Sequence, residues 1–119
     1  MKALKYIFVE DHLGTYDFRC GYVEFHRHLL TSKEYSYAKV NGGGKFEIEI
    51  QNKRIKLYGK SDDFGYPKDI EKVLRQCYVQ LMNEIEEFYY YYTNDEIDTS
   101  EYTLVYEDEN GKEHIVKRK

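Results

Sequence analysis

Glu24-Phe25-His26-Arg27-His28 sets three potential metal ligands at alternate positions. Alternate residues of a β-strand point to one side, so Glu24, His26 and His28 would stand together, and imidazole nitrogens beside a carboxylate suit zinc or a similar ion. The same alternation has a plainer reading, in which Val23, Phe25 and Leu29 turn inward and the three polar residues form a solvent face. A lone motif with no second motif to complete it favours the plainer reading, and no cofactor is expected. Glu24, His26 and His28 stand as the alternative, a small metal-binding module or metal-dependent enzyme.

Other chemical-looking stretches are weaker. Gly42-Gly43-Gly44-Lys45 has the composition of a phosphate loop but not the GxxxxGK[ST] pattern, and a strand pattern follows it rather than a helix whose amides could aim at phosphate. With Asn41 it reads as a turn, where glycine permits positive φ. Asp62-Asp63 lies in a connector containing Gly and Ser and reads as a turn former. His12 and His114 are isolated near strand ends, and Cys77 falls in an apolar stripe, where a thiol is inert. These residues point to a non-enzymatic protein.

Charge is distributed unevenly. Residues 1–60 hold eleven Lys/Arg against seven Asp/Glu, whereas residues 61–119 hold seven against fifteen. Between Glu84 and Glu113 there are eleven acids, six tyrosines and one lysine, Lys112. Such a stretch repels nucleic acid and attracts basic surfaces, and exposed tyrosine gives large contact area at low entropic cost. The expected function is therefore a protein-interaction module of the small inhibitor or immunity type. Its acidic, tyrosine-rich end, carried by Glu86, Tyr90, Asp95, Glu96, Asp98, Glu107, Asp108 and Glu109, would meet a basic partner protein such as a nucleic-acid-binding protein. A homo-oligomeric scaffold is a further alternative. Direct nucleic-acid binding through the lysines and tyrosines of the first half is disfavoured by the seven acids among them and by a pI near 5.6.

The elements that must position these residues follow from periodicity. Strands are expected over Lys2–Glu10, Asp17–Leu29, Tyr35–Val40, Phe46–Ile50 and Ile55–Tyr58, the first apolar on both faces. A two-residue loop at Asn52-Lys53 would pair Ile50 with Ile55, Ile48 with Leu57 and Glu49 with Lys56. Pro67 suits the first turn of a helix running to Tyr92, about 39 Å at the usual rise. On its wheel Ile70, Leu74, Cys77, Leu81, Ile85, Phe88 and Tyr92 share a stripe, Tyr89 and Tyr91 flank it, and Tyr90 alone projects outward. Two strands, Glu101–Glu107 and Glu113–Lys117, flank Asn110-Gly111, whose two-residue turn would pair Val105 with Val116. The fold class is α+β: one domain over residues 1–119, an antiparallel sheet of about seven strands with one long helix across a face. Two unpaired cysteines, Cys20 and Cys77, and no leader or apolar span point to a reducing, cytoplasmic setting.

Overall fold

In the computed structural model, which describes residues 1–117, Ala3–Glu10 (β1) pairs with Tyr16–Val23 (β2) in an antiparallel hairpin without a slip, from Ala3 opposite Val23 to Glu10 opposite Tyr16. The Asp11 carboxylate closes the turn by accepting the amides of Leu13 and Thr15 at 2.8 and 3.0 Å. As the sequence indicates, β1 is buried on both faces: Tyr6 and Phe8 on one, Ile7 and Val9 on the other.

The second face of β1 explains the first correction. The strand expected to reach Leu29 ends at Val23, and His26–Leu29 coils into a 3-10 turn against β1 and β2. Apolar Ile7 and Val9 need cover, and burying them outweighs the local strand alternation of residues 24–29. Residues expected as the strand Tyr35–Val40 begin with another 3-10 turn, Glu34–Ser36, held down by the fork between Arg19 and Glu34 at 2.5 and 2.6 Å.

The glycine run is not a turn. Lys39–Glu49 (β3) is one strand that carries all three glycines through its interior and pairs antiparallel with β1. A bulge falls where Ile7 faces Gly43 but Val9 faces Val40, and Gly42 takes φ +67° there. A Cβ on Gly42 would lie 2.5 Å from the Pro67 nitrogen, so glycine serves a close backbone approach. Asn41 seals the contact: its side chain accepts the Lys68 amide and donates to the Lys68 carbonyl, both at 2.9 Å.

Arg54–Tyr58 (β4) pairs antiparallel with β3, with Ile48 opposite Ile55 and Phe46 opposite Leu57. The register differs by two residues from expectation, which keeps every side chain on its expected face but lengthens the loop to residues 50–53, with Lys53 at φ +50°. Ile50 is left exposed.

The helix begins at Ile70, three residues after Pro67, and is broken at Cys77 into Ile70–Gln76 (α1) and Tyr78–Thr93 (α2). Its apolar stripe is as expected through Ile85: Ile70, Val73, Leu74, Cys77, Leu81, Met82 and Ile85 are buried against Tyr6, Phe8, Phe18, Phe46, Ile55, Leu57 and Leu104 of the sheet. Thr103–Glu107 (β5) then lies parallel to β4, and Glu113–Val116 (β6) closes the order β2-β1-β3-β4-β5-β6. The sheet therefore has six strands and is mixed, not seven and antiparallel. A helix that spans the sheet returns the chain to the end from which β4 started, so the neighbouring strand must run parallel. The last hairpin also slips by one residue from the expected pairing: Val105 faces Ile115 and Leu104 faces Val116. Its loop spans residues 108–112, because the Asp108 carboxylate takes the amides of Asn110 and Lys112, both at 2.9 Å.

Candidate functional site

The last turns of α2 carry three exposed tyrosines on an acidic ground. Tyr90, Tyr91 and Tyr92 are 53, 89 and 55% exposed, so Tyr90 is not the single outward ring that the helical wheel indicates. Tyr92 leaves the buried stripe. Its ring stacks on Phe88 at 5.4 Å and meets Tyr22 of β2 at 5.7 Å. From Glu84 to Asp98 the chain holds six acids and no Lys, Arg or His.

The eight residues expected to form one surface fall in two places. Glu86, Tyr90, Glu96 and Asp98 line a shallow depression of about 430 Å³ with Glu87 and Ile97, between α2 and the segment that follows it, and Asp95 is exposed nearby. Glu107 is the last residue of β5, a strand about 17 Å long, and Asp108 and Glu109 follow it at that far end. There Glu109 borders Tyr66, Lys68 and Tyr106 at the start of α1. The strand that joins the two acidic runs in sequence separates them in space.

Several of these acids are also occupied internally. Glu86 accepts the Thr99 amide and hydroxyl at 2.8 and 2.7 Å, and Asp98 accepts the Ser100 amide and hydroxyl at 3.0 and 2.6 Å. The Ser100 hydrogen bonds hold the Asp98 carboxyl below its usual range. Glu107 pairs with Lys56 at 3.1 Å. Asp108 accepts from His114 Nε2 at 2.7 Å, and that bond, with the loop amides, lowers its pKa. Among the described residues, Glu87, Asp95 and Glu96 make no such bond, which leaves their charge available to a partner.

Sequence reading missed the flank of α2 toward β2, which Glu87 borders as well as the depression. Gln80, Glu84, Glu87 and Tyr91 are spaced i, i+4, i+7, i+11 and share one stripe. Gln80 reaches the free edge of β2: its amide accepts the Phe18 N–H at 2.8 Å and donates to the Phe18 carbonyl at 2.9 Å. Partial burial, then the neighbouring charges of Glu87 and Asp17, push the Glu84 carboxyl above its usual pKa. The helical spacing was legible, but nothing in the sequence tells which strand lies beside the stripe.

The alternative metal site is not assembled. Glu24 and His28 are exposed and His28 packs edge-on to Phe25, while His26 is only 5% exposed and its Nε2 donates to the Gly44 carbonyl at 2.8 Å. Burial lowers the His26 pKa. Among the described residues no three His, Cys, Asp or Glu side chains gather as metal ligands. Burial raises both thiols, Cys77 to about 12, which keeps them protonated and unreactive.

Among the described residues no helix is long and apolar enough to cross a membrane. No protein-family model matches the chain, and neither a curated protein nor a solved structure shows significant similarity to it.

Proposed function

We propose that the chain is a protein-interaction module, of the kind that blocks a partner by docking on it, and that the C-terminal end of α2 is its contact face. The partner is a protein with a basic surface, such as one that itself binds nucleic acid. The observation that carries this reading is the exposure of three consecutive tyrosines, Tyr90–Tyr92, within a run of six acids that holds no basic residue. Rings that are rigid and amphipathic supply contact area, and uncompensated carboxylates steer a cationic surface toward them. The working residues are Glu87, Tyr90, Tyr91, Asp95 and Glu96. Glu86 and Asp98 shape the turn beneath them, and Glu107, Asp108 and Glu109 belong to a separate end of the molecule.

Cross-linking in the native host followed by mass spectrometry is expected to recover a protein with a basic surface. The double substitution Asp95→Lys, Glu96→Lys should cut that capture by about tenfold, as charge reversal in a steered interface does, while leaving urea stability unchanged. High salt should weaken capture in the same direction. Capture that ignores both charge reversal and salt would refute the proposal.

A further inference from the structure

β2 is an outer strand, and only part of its free edge is closed. Phe18 turns its N–H and C=O away from β1 toward Gln80, and the β1–β2 register runs without a bulge. Period-two alternation therefore points the N–H and C=O of Cys20 and Tyr22 outward too. Among the described residues nothing pairs with these groups: no strand lies outside β2, and no side chain plays for them the part that Gln80 plays for Phe18. An open, regular edge of this kind is a template for another extended chain.

The flank of α2 above this edge is chemically selective. Glu84 and Glu87 follow Gln80 along the same stripe, and Tyr91 ends it at 89% exposure. Neither glutamate has an ion-pair partner among the described residues, and the nearby Arg19 of β2 is held by Asp17 and Glu34. Tyr22 and Tyr92 form an aromatic pair at the end of the same edge. A strand added about 4.8 Å outside β2 would place alternate side chains beneath those two glutamates and rings.

We infer that β2 receives an extended peptide segment bearing Lys or Arg at alternate positions, added as a seventh strand against Cys20 and Tyr22, with its cations under Glu84 and Glu87. A second copy of this chain is a poor occupant, because edge-to-edge pairing of two β2 strands would bring the Glu84 and Glu87 pairs of both copies together. This inference rests on the acidic-face reading for the sign of the partner's charge, and on the strand edge alone for its geometry.

The test uses the full chain and a capped peptide of alternating lysine and valine, with a second peptide N-methylated at every other amide so that charge is kept and strand pairing is lost. The unmodified peptide should bind, shift the Cys20 and Tyr22 amide resonances and protect them from hydrogen exchange. N-methylation should weaken binding by about tenfold or more, the scale of two lost backbone hydrogen bonds. Tyr22→Pro, which removes an outward N–H but no bond to β1, should do the same. Equal binding of both peptides would overturn strand addition and leave the acidic face as a purely electrostatic attractor. Binding of neither would also overturn it, and the Asp95→Lys, Glu96→Lys capture experiment then decides separately whether the acidic face has a partner. A dimer abolished by Tyr22→Pro would assign the edge to a second copy and likewise overturn the inference.

Discussion

Gly42 occupies a left-handed backbone position at a bulge, pressed against Pro67 on the way to the helix. A methyl group there meets two obstacles, the φ of +67° and the Pro67 nitrogen 2.5 Å from the Cβ position. The left-handed conformation alone costs a non-glycine residue about 1–2 kcal/mol. Gly111 has an equally positive φ of +86° but open space around it. Gly42→Ala should therefore lower urea stability by about 3 kcal/mol or more, and Gly111→Ala by about 1 kcal/mol. Equal losses would show that the chain near Pro67 yields. Glycine in the run 42–44 is legible from sequence as a backbone requirement, but its cause is not, because a turn and a close approach use the same residue type. His26 teaches the same lesson. Its type and spacing fit a metal ligand, while its role is a buried hydrogen bond to Gly44 that only the folded neighbours reveal.

Elements were legible where a single face repeats and illegible where two layers compete. The paired faces of β1, β3 and β4 and the stripe Ile70–Ile85 follow directly from periods of two and 3.6 residues. Hairpin registers did not follow, because Asp108 and the four-residue loop before β4 set them through side-chain and backbone bonds that a two-residue turn signal does not encode. The parallel pairing of β4 with β5 was implicit in the order strand, helix, strand. One element contact with no sequence signal is the Gln80 clamp, which substitutes for a missing neighbour of β2. Gln80→Ala leaves the Phe18 amide and carbonyl without protein partners, a loss of about 1–3 kcal/mol if water cannot replace them. Hydrogen exchange at Phe18 should accelerate in that variant while exchange at Phe8 and Ile55 follows only the change in global stability. An unaltered Phe18 rate would mean that the clamp does not close the edge.

At the scale of the molecule, the basic first half and the acidic second half meet at β4. Arg54 and Lys56 there reach Glu113 of β6 and Glu107 of β5, at 3.0 and 3.1 Å among others, and Lys53 reaches Glu101 at 3.0 Å. Sequence charge asymmetry is thus partly consumed in joining the two halves, and the remainder surfaces at the end of α2. Tyrosine is divided in the same way: some rings build the fold and others face outward. Burial is the leading cause that raises the pKa of Tyr6, Tyr16, Tyr58, Tyr66 and Tyr106, with Tyr66 reaching about 12. A phenol whose folded pKa lies above its ordinary 10.0 contributes stability that is complete below pH 10.0 and is lost as pH rises toward the folded value, because the unfolded chain releases the proton first. Alkaline titration followed by tyrosinate absorbance should therefore show a late, cooperative phase from these raised phenols that coincides with loss of the circular-dichroism signal. Tyr66→Phe should move the late phase to higher pH if its lost bond to the Glu107 carbonyl is the smaller effect, and the unfolding step should release fewer protons in any case. A single smooth titration of all tyrosines with the fold intact would show that the buried rings do not hold the two halves of the molecule together.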